Sequence, residues 1–557
     1  MKKFYLFISS LFVSCSLLSQ TPELLLDINP TGSSVTQKIA IYNFNGTGYF
    51  AADDGVHGTE LWQTDGSTQG TVLFKDLREG AEGSLPHSFC SLNNKLLFGA
   101  NDNSGYEELW ISDGTAQGTV ALKAISTNLS KPSYINSITD MGNQAFFIAD
   151  DGLHGSELWV TDGTTEGTRM VKDIEPAANV GALFLSSMPT VLDNKIYFKA
   201  KESVHGCELW VSDGTEAGTK LVKDINPGNA NGFYPGSSPV FTVMNGKLYF
   251  RGIDALHGDE LWVTDGTEAG TNLVKDINPG AAFSMGWEIF QYNNKLYFNA
   301  YNGDPAIGWE LWSSDGTTDG TQLFKDVNTN TNPGGSDERS FCEYNGKLYF
   351  FGQYEIGSDG QVSQLWVTNG TATGTVPVAE MPKKNYFSGI TLYNGYLYFA
   401  NQCQHGYQLF RYGEGNTALE MVSPAAITPD GCAVGILPTT AFSIINGSLL
   451  FPAQYDLNKE GEFYTITTPA TGLGTSEKAN PVSLYPNPAN KQVTIRLENG
   501  LSSVQVFNQQ GQTVFQQTDI MQPEFEFNCS SLTPGIYVVK TGNGSQVTSR
   551  KLVVVHK

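Results

Sequence analysis

Seven tryptophans recur at nearly constant spacing: Trp62, Trp110, Trp159, Trp210, Trp262, Trp312 and Trp366, at intervals of 48, 49, 51, 52, 50 and 54 residues. Degenerate copies follow at Leu409-Phe410 and Phe463-Tyr464. A fixed period of this size across most of a 557-residue chain means an array of like units rather than one irregular domain. Each unit carries the same short segments, illustrated by Lys247–Phe250, Glu260–Val263 and Thr271–Ile277. A looser stretch such as Ile289–Tyr292 then runs into an Asn-Asn or Asn-Gly turn. All are strand-length and rich in aromatic or β-branched residues. Neighbours in Leu261-Trp262-Val263 point to opposite faces of a strand, yet all are apolar, so the sheet must be covered on both sides. Radially stacked four-stranded sheets provide that cover, and the predicted fold class is all-β, a β-propeller of eight or nine blades.

The count reaches nine because the two ends of the array are complementary. Leu24–Pro30 repeats the third segment and its turn, whereas Leu449–Phe451 and Phe463-Tyr464 repeat the first and second, so the ends are expected to complete one blade together. Thr264-Asp265-Gly266-Thr267 reads as a hairpin turn, with Gly accepting positive φ and Asp capping the turn. Glu60 and Lys75 are 15 apart, and the spacing returns for Glu108/Lys123, Glu157/Lys172, Glu208/Lys223, Glu260/Lys275 and Glu310/Lys325. In the seventh copy both charges vanish, at Gln364 and Ala379. Symmetric closure about the Asp-Gly loop would set Trp62 opposite Leu73 and Glu60 opposite Lys75, a cross-strand ion pair.

Composition enters through charge and sulfur. A formal net charge of −23 disfavours nucleic acid and anionic membranes as partners, and calcium is the ion that such a surface would attract. No cofactor motif is present. Lys2-Lys3 followed by the apolar run Phe4–Leu18 reads as a signal peptide, residues 1–20, with cleavage near Ser19 or Gln20. Phe12-Val13-Ser14-Cys15 matches a lipoprotein box only loosely. The mature chain shows no transmembrane segment. Its six cysteines show no Cys-x-x-Cys spacing; they read as buried free thiols, and a Cys403–Cys432 pair, close enough in sequence to form in an oxidising compartment, is the alternative.

The array, residues 21–465, resembles the bacterial ELWxxDGT repeat family, on Glu260-Leu261-Trp262-Val263-Thr264-Asp265-Gly266-Thr267 and its copies. That family implies architecture without a defined activity. A Thr/Pro/Gly/Ser-rich linker, residues 466–481, leads into residues 482–557, which resemble a type IX secretion sorting domain of type A. The matching segments are Leu484–Ala489, Val504–Gln512, Leu532–Val539 and Lys551–Val555. Read from its alternation, this tail is a small Ig-like β-sandwich. The resemblance implies a Gram-negative bacterial protein handed to the type IX machinery, then released or held at the cell surface.

Five histidines fall at one repeat position, in His-Gly: His57, His154, His205, His257 and His405. They read as hydrogen-bonded turns, since separate blades hold them apart. No catalytic, phosphate-binding or metal-binding motif is found. Function is therefore expected where the repeats differ, on the end carrying the longer loops. Phe233, Tyr234, Trp287, Trp309, Tyr386 and Phe387 lie on or near it and are the candidate ligand-face aromatics. The expected role is a non-catalytic binding or adhesion module for a glycan or protein ligand. The alternatives are a polysaccharide lyase or glycoside hydrolase on the same scaffold, and a structural surface protein.

Overall fold

The computed structural model describes, in the array, residues 21–35, 40–126, 132–176, 181–183, 189–237, 241–328, 339–355, 361–380, 389–403, 406–416, 418–422, 441–455 and 461–467. In the tail it describes residues 483–485, 489–496, 503–508, 513–518, 520, 522, 524–530, 532–533, 535–543 and 546–555. The signal-peptide expectation, His405 and Cys432 lie outside these residues. The described residues contain strands and turns and no helix. The chain divides into two compact units, Met1–Pro469 and Ala470–Lys557.

Among the described residues, the first unit holds nine four-stranded antiparallel sheets, giving a propeller-like arrangement. The fifth sheet is representative: Phe241–Met244, Lys247–Asp254, Gly258–Thr264 and Asn272–Lys275, paired in chain order. Both faces are apolar because each sheet packs on two neighbours. Leu248, Phe250 and Trp262 of the fifth sheet share a buried cluster with Tyr197, Leu209 and Val211 of the fourth. On the other face, Tyr249 and Leu261 meet Leu296, Phe298 and Trp312 of the sixth. The same relation runs around the unit and closes, since Phe50 and Trp62 of the first sheet pack with Ile445, Leu450 and Phe463 of the ninth.

Sheet and repeat unit are offset by one strand. The segment Ile289–Tyr292, fourth in the repeat, hydrogen-bonds across its Asn-Asn turn to Lys295–Phe298 of the following unit. Each sheet therefore begins with a strand from the preceding unit. The first strands of successive sheets come within 8 Å of one another, as Phe241–Met244 and Met285–Tyr292 do, and so line the inner side of the ring.

The ninth sheet is built from both ends of the array: Ser443–Ile445, Ser448–Ala453 and Glu462–Thr467, with Glu23–Leu24 as the fourth strand. Its register is Glu23 opposite Thr465 and Leu24 opposite Tyr464. Chain ends that share one sheet make closure part of folding, as the complementary segments suggest.

The register within each sheet corrects the Glu–Lys pairing. Trp62 does face Leu73, but a bulge follows, so Leu61 rather than Glu60 faces Lys75. The same one-residue shift occurs at Trp110, Trp159, Trp210, Trp262, Trp312 and Trp366. A bulge adds one residue to one strand and turns the side chains beyond it. The lysines thus leave their own sheet. Lys172 Nζ donates to the Thr219 carbonyl at 3.0 Å, Lys223 to Thr271 at 2.8 Å and Lys275 to Thr321 at 2.7 Å, each a threonine just after the next sheet's Asp-Gly turn. They strap adjacent sheets. Lys275→Met is expected to cost about 1 kcal/mol, read as a lower denaturant midpoint with an unchanged fold.

In the second unit, Ser483–Tyr485, Gln492–Arg496 and Glu524–Asn528 form one sheet. Thr513–Thr518, Ser503–Phe507, Gly535–Asn543 and Gln546–Val554 form another, in that spatial order. Val493 and Ile495 of the first share a buried cluster with Val504, Val506, Val539 and Leu552 of the second.

Candidate functional site on the variable loop end

Two kinds of turn separate the ends of the sheets. The Asp-Gly end is uniform. Asp265 accepts from the Thr267 amide and hydroxyl, at 2.9 and 2.7 Å, and Thr264 and Thr271 hydroxyls meet at 2.7 Å. The Thr267 hydroxyl holds the Asp265 carboxyl below its ordinary value. At the opposite end, the loop between second and third strands of a sheet packs against the segment leaving the fourth. Ser284 N, for instance, donates to the Asp259 carbonyl at 2.9 Å.

The recurrent glutamate organises this variable end. Glu60, Glu157, Glu208, Glu260, Glu310 and Glu462 are fully buried. Glu60 accepts from the amides of Leu77 and Ser84, both at 2.8 Å, and from the Ser84 hydroxyl at 2.6 Å. Glu208 accepts from Ile225 at 2.9 Å and Gly232 at 2.7 Å. Glu260 accepts from Ile277 and Asn278 and from the Ser284 hydroxyl. Each carboxylate thus gathers the backbone of the connecting loop, donors that would otherwise be buried without partners. Burial pushes Glu108 and Glu260 up to about 7 and Glu157 and Glu208 up to about 8, against the hydrogen bonds that favour the anion.

The described His-Gly histidines are turn residues. His57 and His154 Nδ1 each lie 2.7 Å from the carboxylate three residues earlier, Asp54 and Asp151, and His257 lies 2.8 Å from Asp254; His205 pairs with Glu202. The hydrogen bond to its aspartate raises His57, His154 and His257 above the ordinary imidazole value. Among the described residues, no group of three or more His, Cys, Asp or Glu could hold a metal ion. Cys90, Cys207, Cys342 and Cys529 are free thiols, and no side-chain geometry is described for Cys403.

The candidate aromatics separate into different roles. Phe233 is 4% exposed and stacks on Phe250 at 5.4 Å, so it is core, a correction to the expectation of a ligand-facing ring. Its neighbour Tyr234 is 44% exposed, with the Arg251 guanidinium 5.2 Å from its ring centre. Trp309 is half-buried and stacks on Tyr301 and Phe283, both at 6.0 Å. Trp287 lies in the strand Met285–Tyr292 with no side-chain geometry described. Tyr386 and Phe387 fall outside the described residues.

Sequence reasoning missed the groups that hold this region. Arg251 Nε donates to both oxygens of Asp259, at 2.7 and 2.6 Å, and Asp259 is 1% exposed. Lys199 is fully buried, and its Nζ donates to the carbonyls of Tyr234 at 3.0 Å, Pro235 at 2.8 Å and Ser237. A buried ammonium capped by three carbonyls anchors the loop that presents Tyr234. Phe283 was also missed, and at 56% exposure it is the outermost ring of the Trp309 stack. The signal was available: Lys199 and Arg251 occupy a strand position that holds Ala51, Gly99, Ile148, Asn299, Phe351, Ala400 and Pro452 in the other copies, none of them charged.

Comparison with known proteins adds one family and several folds. Residues 483–555 match the secretion system C-terminal sorting domain. That match indicates secretion through the type IX route, to the extracellular space or cell surface, and suggests contact with the type IX machinery. No helix among the described residues is long and apolar enough to cross a membrane. No curated protein matches the chain. Among solved structures, it is similar to a puromycin hydrolase, with 13% identity, 66% of this chain and 58% of that chain covered, and a TM-score of 0.34. A prolyl endopeptidase gives 10% identity, coverage of 67% and 54%, and a TM-score of 0.36. Oligopeptidase B from Leishmania major gives 9% identity, coverage of 67% and 53%, and a TM-score of 0.37. The chain spans little more than half of each of these proteins. The expected non-catalytic binding or adhesion role finds no support in these comparisons and is withdrawn. At these identities no activity is carried over to this chain.

Proposed function

We propose that this chain is a passenger of type IX secretion whose working part, residues 21–465, is a nine-bladed propeller of ELWxxDGT-type units. Residues 1–20 take it across the inner membrane. Residues 466–481 join it to an Ig-like sorting sandwich, residues 482–557, that the outer-membrane machinery recognises. The sorting-domain match at residues 483–555 is the observation that carries this reading. The nine sheets, with the first packed on the ninth, support the blade count.

The test is export in a type IX-competent host. Full-length protein should reach the medium or cell surface, and a chain ending at residue 469 should stay in the periplasm. Equal appearance of both outside the cell would overturn the proposal.

A further inference from the structure

Four sheets repeat the same pair of buried polar atoms lacking a hydrogen-bond partner. The indole nitrogens of Trp62, Trp159, Trp210 and Trp262 are buried donors without an acceptor, and Oδ1 of Asp76, Asp173, Asp224 and Asp276 is a buried acceptor without a donor. Each aspartate stands 14 residues after its tryptophan. The register brings the two together. The ladder ends with Leu61 opposite Lys75; continued by one residue, it sets Asp76 opposite Glu60 and on the face that Glu60 shares with Trp62. Equivalent registers hold in the third, fourth and fifth sheets.

The second sheet is an internal control. Ala124 stands where the aspartate would be. There Trp110 Nε1 donates directly to the Ala100 carbonyl at 3.1 Å. Lost carboxylate and satisfied indole occur together there; in the seventh sheet a longer carboxylate, Glu380, stands at the aspartate's place and the Trp366 indole again lacks a partner. In the sixth sheet, Asp326 is exposed and meets solvent.

We propose that each of the first, third, fourth and fifth sheets holds one internal water between the tryptophan indole N–H and the aspartate Oδ1. Chemistry selects the ligand. A metal ion cannot accept from an indole N–H, and an anion is repelled by the carboxylate. Water accepts from the first and donates to the second, and a buried water is stable where it meets two or more polar partners. The four waters form a repeated hydration site at the variable end, one per sheet, and leave the second sheet dry.

The test is a crystal structure of the full chain at a resolution that shows ordered water. The expected result is a solvent peak within hydrogen-bonding distance of both atoms in those four sheets, and none at Trp110. Direct Trp–Asp contact, an empty site, or a peak with metal coordination would each overturn the proposal. In Asp224→Ala, the fourth-sheet water should be lost and Trp210 should turn to the Ala200 carbonyl, as Trp110 does to Ala100. A water retained at Trp210 in that variant would also overturn it. If the variant fails to fold, the unaltered chain still decides.

Discussion

Replacing Glu462 with alanine is expected to lower the stability of the ring by about 3–5 kcal/mol. Glu462 is fully buried and accepts from the amides of Ile28 at 3.2 Å and Asn29 at 3.4 Å and from the Ser34 hydroxyl at 2.6 Å. Alanine leaves the Ile28 and Asn29 amides buried without partners, each costing about 1–3 kcal/mol, while the Ser34 hydroxyl keeps only its longer bond to the Gly461 carbonyl at 3.2 Å. The donors lie more than 420 residues away along the chain, so the loss falls on closure itself. The arm has other attachments: Leu25 N to the Phe463 carbonyl at 2.9 Å, Ser34 N to Gly461 at 3.1 Å, and the buried Leu25, Ile28 and Val35. Glu462→Ala should therefore lower the denaturant midpoint and speed amide exchange first in residues 21–35. Glu462→Gln should cost less, because one oxygen can still accept. A Glu462→Ala protein with unchanged exchange in that arm would show that the arm does not depend on the carboxylate.

The ring is also expected to lose stability as pH rises from about 5 to about 9. Burial lifts Glu108, Glu157, Glu208 and Glu260 from 4.5 to about 7–8. Between those values the folded state holds protons that the unfolded chain releases, so folding becomes less favourable with each step up in pH. The raised histidines act in the same direction. His57, His154 and His257 contribute below their ordinary value of 6.5, and that contribution is lost as pH passes their folded values. They are partly exposed, so their share is small. The turn aspartates act at the other extreme: Asp65, Asp162 and Asp265 are held below 3.8, and their contribution is lost only as pH falls through their folded values. Stability should peak in mildly acidic solution, with Tm falling by about 5 °C or more between about pH 5.5 and pH 8.5. A flat or rising Tm over that interval would mean that the amide and hydroxyl donors keep these glutamates ionised.

The repeat made the sheets legible because period, turn chemistry and two-faced apolarity all act locally. The shared ninth sheet was also legible, since half-units at the two ends can be matched by eye. The side-chain partners were not. Equal spacing of Glu60 and Lys75 in every copy is satisfied by any register that all copies share, so it could not reveal the bulge between Leu61 and Trp62. The paired loss at Gln364 and Ala379 suggested an ion pair, whereas glutamate in the other copies serves its own loop and lysine the next sheet. Phe233 was misread because loop membership says nothing of direction. Residues just after the glutamate-held position turn inward, as Leu183, Phe233 and Met285 do. Lys199 and Arg251 are charges in largely apolar strands that the sequence reading passed over, and only the structure shows that they hold the Tyr234 segment.

The one-strand offset between repeat and sheet bears on how such a gene can grow or shrink. Unequal crossing-over between two copies adds or removes one whole period, wherever in the period the exchange falls. Because the chain's first strand always completes its last sheet, every product still has its leftover strands matched. The circle gains or loses a complete sheet and never keeps a ragged one. What limits the copy number is then the wedge angle that neighbouring tryptophan-filled interfaces can absorb, not the way the ends meet.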